Sequence, residues 1–264
     1  LKPEQWKART VARGDRFKKS VTFNKTAAPV IHTPALKMLI AHGVASGKHF
    51  FQFDQYSAFY GNKMDIEGVI VRLPDGFDPW SDEIRPFHLP PLYGELAAGV
   101  PGIPQGSLLQ YLDIAPALLK LGFRAADADN CLFVHDTEDM ATCIHVDDGI
   151  LAAPSRQHAE RFFSKASLGG TRTLTHGPLT HTLGIDFKVE YSDQVRRVFM
   201  SQRPYAITIL RRANMLDCNS TITPATPGRK YTKADGPATS EDKAALEAQG
   251  LTKELYHSIT MSLN

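Results

Sequence analysis

The stretch from residue 142 to residue 151 constrains the fold of this chain most. Two apolar runs flank Asp147, Asp148 and Gly149. This pattern predicts a β-hairpin that carries both carboxylates at its tip, with Gly149 supplying the positive φ that a tight turn needs. Adjacent carboxylates repel each other, so a hairpin that presents them together favours a divalent cation. An ordinary Asp-Asp-Gly turn without a metal is the alternative that these residues leave open.

Length and composition limit the class of protein. With 264 residues, 42% of them hydrophobic and 22% charged, the chain can form one large or two modest globular domains. It has no run of eighteen apolar residues, so we expect no transmembrane helix and no membrane partner. The three cysteines are widely spaced, which argues against a zinc site or a disulfide framework and fits a reducing compartment. Leu1 at the start and a helix-like pattern at the end suggest a piece of a longer polypeptide.

The net charge of +2 hides an uneven distribution of charge. Residues 1–25 and residues 193–233 each contain eight Lys or Arg and two acids, so the remainder is acidic. Lys7, Arg9, Val11 and Arg13 alternate at period two, which would place them, three cations among them, on one face of a strand. Such a face suits phosphate contacts. A solvated charge pattern and a charged edge strand are the alternatives.

The remaining pattern predicts strands and helices in alternation, which is an α+β fold. A helix opens at Thr33 and ends at Gly47, and a buried strand then delivers Asp54, which could also be a simple strand-end residue. A Pro- and Gly-rich loop over 73–106 leads to a helix capped by Ser107, with a kink or break at Pro116. Further segments follow in this order: strands at 131–134 and 141–144, a helix after Pro154-Ser155, a hairpin over 182–200, a helix over 203–215 and a connector over 221–240.

Three carboxylates stand out from this organisation. Asp54 ends a strand, and Asp147 and Asp148 lie at the hairpin tip. Phosphoryl transfer assisted by two Mg²⁺ ions needs carboxylates that hold the ions about 4 Å apart. Such a reaction gives Asp54 and Asp147 a joint purpose. Gln105 would lie at the mouth of the second helix, where backbone N–H groups favour anions.

Several segments of the chain, taken in their order, resemble those of a known protein family. They are Lys7–Gly14, Ala28–Val30, Asp54–Phe59, Leu73–Phe77, Gly102–Gln105, Asp129–Phe133, His145–Asp148, Leu183–Asp186 and Met215–Cys218. In this order the chain resembles the reverse transcriptase of copia-type LTR retrotransposons. The resemblance covers nearly the whole chain, and it is more specific than any single motif.

The resemblance implies a right-hand palm and fingers polymerase fold with an antiparallel palm sheet, a partial thumb and no ribonuclease H domain in this segment. Residues 1–218 would form the fingers, palm and start of the thumb, with the fingers strands over 2–24. The hairpin over 182–200 would grip the primer. Residues 219–264 would connect to the absent ribonuclease H domain.

The resemblance also implies the chemistry, which is RNA-directed DNA synthesis by nucleotidyl transfer onto a primer 3′ end. Asp54, Asp147 and Asp148 would be the catalytic acids and ligands of two Mg²⁺ ions, with Mn²⁺ as an alternative. The expected nucleotide-binding residues are Lys7 and Arg9 for the triphosphate, Phe59 as a steric gate against a 2′-hydroxyl, and Gln105.

The same resemblance sets expectations for partners and location. The partners would be an RNA or DNA template with its primer, deoxynucleoside triphosphates, and either a second copy of the chain or other parts of a polyprotein. The location would be the cytoplasm, within virus-like particles of an active element.

Two rival functions are a catalytically inactive relic or domesticated nucleic-acid-binding protein, and a metal-dependent nuclease. His145 departs from the family pattern, which has Tyr before the two aspartates.

Overall fold

A computed structural model of the chain separates into two compact units, Leu1–Met200 and Ser201–Asn264. The predicted boundary after residue 218 lies inside the second unit, and it stays a prediction. The residues that the structure describes are 10–55, 58–60, 62–78, 80, 84, 86, 88–168, 174–192, 196–222, 228, 230, 232, 236–237, 239–248, 250 and 252–262.

The described elements mix helices and strands. A 3₁₀ helix spans Gly14–Arg16, and the α-helices are α1 (Thr33–Ala45), α2 (Gly106–Lys120), α3 (Arg156–Leu168), α4 (Arg203–Arg212), α5 (Ser240–Ala248) and α6 (Lys253–Ser262). The strands are β1 (His49–Gln55), β2 (Ile70–Arg72), β3 (Tyr93–Glu95), β4 (Arg124–Ala126), β5 (Asp129–His135), β6 (Met140–His145), β7 (Asp148–Ala153), β8 (Leu174–Pro178), β9 (His181–Thr182), β10 (Ile185–Tyr191) and β11 (Arg196–Ser201).

A six-stranded sheet forms the centre of the first unit. Its strand order is β4-β5-β6-β7-β1-β8, and the pairs described are all antiparallel. The sequence motifs of the hairpin and of Asp54 therefore lie on adjacent strands, β7 and β1. The expected α+β class with an antiparallel sheet is confirmed.

Helices cover both faces of this sheet. Successive side chains of β1 point to opposite faces, so Phe50 and Phe53 pack against different helices. Gly43 of α1 approaches Phe50 so closely that an added Cβ would lie 2.6 Å from its ring. On the opposite face, Phe53 packs against Phe162 and Phe163 of α3, with ring centroids 6.2 and 6.0 Å apart. The core thus anchors β1 from both sides, and Asp54 follows directly on this anchored segment.

Two smaller sheets complete the first unit. Strands β11, β10 and β9 form a three-stranded sheet in the segment where a hairpin over 182–200 was predicted. Strand β2 pairs with β3 in a separate ribbon. In the second unit, α4 and α6 contact each other. None of the helices in the described part of the chain has the length and apolar character needed to cross a membrane.

Some local predictions were wrong. Gln105, not Ser107, is the N-cap of α2, which begins at Gly106 and continues through Pro116 without a break. The expected fingers strands are absent from residues 10–24, the described part of that segment. There the Ala12 N–H donates to the carbonyl of Pro101 at 2.8 Å, so this backbone packs on the loop before α2 and does not join a strand. Lys7 and Arg9 lie outside the described residues.

Candidate functional site

The register of three strands brings Asp54 and Asp148 together. Asp54 of β1 is the direct partner of Asp148 of β7, and His145 of β6 pairs with Asp148 from the other side. Residues directly opposite in an antiparallel pair have Cβ atoms roughly 5 Å apart and point to the same face. Both carboxylates therefore lie on one face of the sheet, near the end of β1 and the start of β7, with His145 beside them.

The turn before Asp148 adds the third carboxylate. Val146 and Asp147 connect β6 to β7, and the Gln55 N–H donates to the carbonyl of Asp147 at 2.9 Å. The predicted hairpin is confirmed, but the role expected of Gly149 was wrong. Val146 takes the positive φ, at 57°. This is an unusual conformation for a β-branched residue, and such strain concentrates at functional sites.

Position 149 requires glycine for a different structural reason. It lies within β7, directly opposite Phe53 of β1. A Cβ added to Gly149 would lie 2.1 Å from the Phe53 ring. Glycine is needed here because the aromatic ring crosses its backbone, and the same contact fixes β7 next to the strand that carries Asp54.

The electrostatics show that the three carboxylates influence one another. Burial raises the pKa of Asp148 above its usual value, and the negative charges of Asp147 and Asp54 raise it further. His145 and a hydrogen bond from the backbone N–H of Leu183 act in the opposite direction. Closely placed carboxylates of this kind suit a hard divalent cation with oxygen ligands.

The side chains of the described residues do not form a ready-made cage. Among them, no group of three or more His, Cys, Asp or Glu side chains has the geometry to hold a metal ion. Carboxylate oxygens are the ligands that hard divalent cations take. The donor type of Asp54, Asp147 and Asp148 therefore fits Mg²⁺, and the register of the sheet sets Asp54 opposite Asp148.

His145, beside Asp148, carries a buried polar atom that the described residues leave unsatisfied. Its Nδ1 atom is buried and has no hydrogen-bond partner among the described residues. Buried ring nitrogens normally have a partner. The position where Tyr was expected therefore presents an unused nitrogen next to the acids.

Phe59 and Gln105 lie next to each other. The Phe59 ring packs on Gly106, where an added Cβ would lie 3.1 Å from the ring. Gln105 is fully buried, and its Nε2 donates to the Thr22 carbonyl at 3.0 Å and to Asp65 Oδ1 at 3.3 Å. Its Oε1 has no hydrogen-bond partner in the described part of the chain. Phe59 and Gln105 thus share the start of α2, and the amide of Gln105 ties it to residue 22.

Sequence reasoning missed a buried chain of amide side chains that links these parts. Gln110 of α2 donates through Nε2 to Gln55 Oε1, next to Asp54. Asn62 donates to Gln110 Oε1 at 3.1 Å and to the Ala58 carbonyl at 2.9 Å, next to Phe59. The signal available in the sequence was a glutamine at a core-facing position of α2. These hydrogen-bonded amide side chains connect the strand that carries Asp54 to the loop that carries Phe59.

A polar cleft opens beside the acids. It has a volume of about 220 Å³ and is lined by Gln52, Asp54, Asp148, Thr175, His176, Gly177, His181 and Thr182, together with Phe53. Gln52 Oε1 accepts hydrogen bonds from the N–H groups of Thr180 and His181, at 2.8 and 2.9 Å. These bonds hold the segment before β9 against β1, so the cleft has a fixed wall next to the carboxylates.

Comparison with known proteins identifies a family that this chain matches. Residues 1–227 match the family model described as reverse transcriptase (RNA-dependent DNA polymerase). The chain is 25% identical over 242 residues to the "Retrovirus-related Pol polyprotein from transposon RE1" of Arabidopsis thaliana, covering 88% of this chain and 15% of that protein. It is 25% identical over 234 residues to the corresponding RE2 polyprotein of the same plant, with the same coverage.

A third relative is the "Retrovirus-related Pol polyprotein from transposon TNT 1-94" of Nicotiana tabacum. It is 21% identical over 243 residues, which are 90% of this chain and 17% of that protein. The chain therefore spans about a sixth of the length of these relatives. No solved structure matches it significantly.

Proposed function

The chain belongs to the reverse transcriptase (RNA-dependent DNA polymerase) family, and we propose that it extends a primer 3′ end with deoxynucleotides by nucleotidyl transfer. The template would be RNA or DNA. Membership of the family supports the reaction, and the relatives are polyproteins of transposons.

One observation carries the assignment of the site. Asp54 and Asp148 are cross-strand partners, and the turn between β6 and β7 adds Asp147. Three acids from two distant segments meet because of the register of the sheet, and not because of their separation along the chain. An ordinary hairpin turn would not need Asp54 opposite it.

Asp54, Asp147 and Asp148 would bind two Mg²⁺ ions, with Mn²⁺ as an alternative. Such ions, when bound, neutralise the charge that develops on the attacking and leaving oxygens. The carboxylates themselves would face the triphosphate from the end of β1 and the start of β7. Phe59 would lie against the sugar and exclude a 2′-hydroxyl, and Lys7 and Arg9 would contact the phosphates.

Gln105 would take part through the start of α2. Its buried amide holds residue 22 against this helix, and its unpartnered Oε1 can accept a hydrogen bond if the contact opens for an incoming nucleotide. The N-terminus of α2 adds backbone N–H groups that favour phosphate.

The finer architecture is also a proposal. The six-stranded sheet would be the palm, the described part of residues 1–24 would belong to the fingers, and α4 would begin the thumb. The partners would be the primer–template duplex, deoxynucleoside triphosphates, and a second copy or other parts of a polyprotein. We place the protein in the cytoplasm, within virus-like particles.

Primer extension on poly-rA with an oligo-dT primer and Mg²⁺ tests the function. We expect wild-type chain to extend the primer, and Asp147→Asn to lower the rate about a thousandfold, which corresponds to ~4 kcal/mol. Duplex binding should stay within about twofold, because phosphate contacts come mainly from Lys and Arg. Extension by the variant at the wild-type rate would remove Asp147 from the mechanism.

The same assay separates the proposal from the inactive nucleic-acid-binding alternative. A relic would bind duplex in a salt-dependent way and give no extension with either Mg²⁺ or Mn²⁺. Asp113→Asn, at an exposed position of α2, serves as the control for loss of a carboxylate.

A further inference from the structure

The loop before α2 contains a feature that the polymerase reaction does not use. Residues 90–93 read Pro-Pro-Leu-Tyr, and they lead from the proline-rich loop into β3. Pro90 and Pro91 are exposed, and Tyr93 is 63% exposed. Consecutive prolines favour the polyproline II conformation, which loses little entropy on binding.

We propose that residues 90–93 are a docking peptide for a partner protein that carries a WW domain. Domains of this kind seat polyproline II prolines in a groove lined with aromatic side chains. The Pro-Pro-x-Tyr arrangement adds a tyrosine, whose ring is apolar and whose hydroxyl can donate a hydrogen bond at the edge of a second pocket. The residue x is not held by such a domain.

The fold presents this peptide in the required way. The Leu73 N–H donates to the Leu92 carbonyl at 2.8 Å, so the ribbon of β2 and β3 is held at the x position. Leu92 is half-buried and lines a small cavity together with Leu73 and Phe77. The residue that the partner would leave alone is therefore the one that fixes the loop to the protein.

Strand geometry turns the tyrosine outward. Successive side chains of a strand point to opposite faces, and burial alternates accordingly from Leu92 through Tyr93 to Gly94. The cross-strand partner of Tyr93 is Arg72, which is also exposed. A partner can therefore reach the Tyr93 ring without opening the ribbon. Pro91 borders the small cavity but keeps an exposed side.

The surroundings support a protein partner. Trp80 and Ile84, in the same loop, are 82% and 77% exposed. Both side chains add apolar surface to the loop that carries the motif. Nearby acids, Asp75, Asp78 and Glu95, make the loop unfavourable for a nucleic-acid backbone.

Fluorescence anisotropy tests the proposal, with a labelled WW domain of the Pro-Pro-x-Tyr-reading class titrated by the complete chain. We expect saturable binding. Tyr93→Ala and Pro91→Ala should each weaken the affinity at least roughly tenfold, since they remove the side chains that fill the pockets. Leu92→Ala should stay within about threefold, because x makes no contact with the domain.

Three controls make the result decisive. Tyr256→Ala removes a tyrosine that is 73% exposed in the second unit, and it should leave binding unchanged. An SH3 domain reads prolines spaced as Pro-x-x-Pro, as at 101–104, where Ile103 is 6% exposed, and it should not bind. A free peptide of residues 88–97 should bind as a reference.

The outcomes that overturn the proposal are distinct. Absence of saturable binding by the chain overturns the proposal: if the free peptide binds, the fold does not present the motif, and if the peptide fails as well, this class of domain does not read the motif. Binding that survives Tyr93→Ala excludes the motif as its cause. If Tyr93→Ala alters the circular dichroism, Tyr93→Phe replaces it, and an affinity equal to wild type for both Tyr93→Phe and Pro91→Ala rejects the site.

Discussion

The turn between β6 and β7 and the start of α2 hold their functional side chains by different kinds of contact. At the turn, the backbone ladder sets the positions: Asp54 faces Asp148, and the Gln55 N–H binds the Asp147 carbonyl. At the start of α2, side-chain amides set them, since the Gln105 amide binds the Thr22 carbonyl and no side chain caps the helix.

This difference determines what a substitution does in each place. A strand ladder keeps its register when one carboxylate is changed, so changes of the acids alter chemistry while the backbone stays. An amide network loses its geometry when one member is removed, because the remaining buried groups lose their partners. We therefore expect the backbone positions of the acids to stay the same when an acid is substituted. We expect the positions of Phe59 and Gln105 to shift when a member of the amide network is substituted.

Gly149→Ala should have the largest effect on stability, because it attacks the ladder itself. The new methyl group would lie 2.1 Å from the Phe53 ring, which is held by Phe162 and Phe163. We expect a loss of about 3 kcal/mol in the free energy of unfolding, at the upper end for overpacking. Urea denaturation followed by circular dichroism measures it.

Gly177→Ala in strand β8, which pairs with β1 on its other side, is the matched control. Among the described residues, no atom lies within 4 Å of the position of its Cβ. Its stability should change by less than about 0.5 kcal/mol. Equal losses for the two variants would show that the Phe53 contact does not fix the register of β7 and β1.

Gln110→Leu should have a smaller effect on stability and a specific effect on nucleotide use. It leaves Gln55 Oε1 without this donor and removes an acceptor of Asn62, so we expect a loss of about 1–2 kcal/mol. Because Asn62 also binds the carbonyl of Ala58, next to Phe59, discrimination against ribonucleotides should weaken. Single-nucleotide primer extension with dTTP and UTP compares the two substrates.

The control for this change is Leu119→Ala, at a 53% exposed position of the same helix. It should alter neither stability nor discrimination beyond the error of the assays. If Gln110→Leu changes stability but leaves the preference for dTTP intact, the amide chain supports the fold without positioning Phe59.

The same contrast explains what the sequence could predict. The hairpin of β6 and β7 and helix α1 follow from local patterns of apolar residues, turn residues and proline, and they are confirmed. The pairing of Asp54 with Asp148 depends on contacts between distant segments, so local patterns did not predict it; the sequence grouped the three acids only by the metal chemistry that they share. The role of Gly149 was not predictable, because it depends on the Phe53 ring of a strand that is distant in the sequence.

Asp148→Asn should have the smallest effect on stability. It should stabilise the protein, whereas Gly149→Ala and Gln110→Leu should destabilise it. Burial and the charges of Asp147 and Asp54 raise the pKa of Asp148 in the folded state. A raised pKa means that this group contributes stability below the unfolded pKa of about 3.9 and loses that contribution as the pH rises through the folded value. The variant should therefore melt about 1–2 °C above wild type near pH 7, since solvent screens a half-exposed group.

Calorimetry across pH checks this sign. The difference should vanish near about pH 3, where the wild-type carboxyl is protonated. Millimolar Mg²⁺ should reduce it at neutral pH, because a bound cation relieves the repulsion only in wild type. Asp136→Asn is the control of opposite sign: the ion pair with Arg124 lowers the pKa of Asp136, so its contribution is present at neutral pH and lost on acidification. A wild type that melts above Asp148→Asn at neutral pH without Mg²⁺ would mean that the three carboxylates do not repel one another as the backbone register requires.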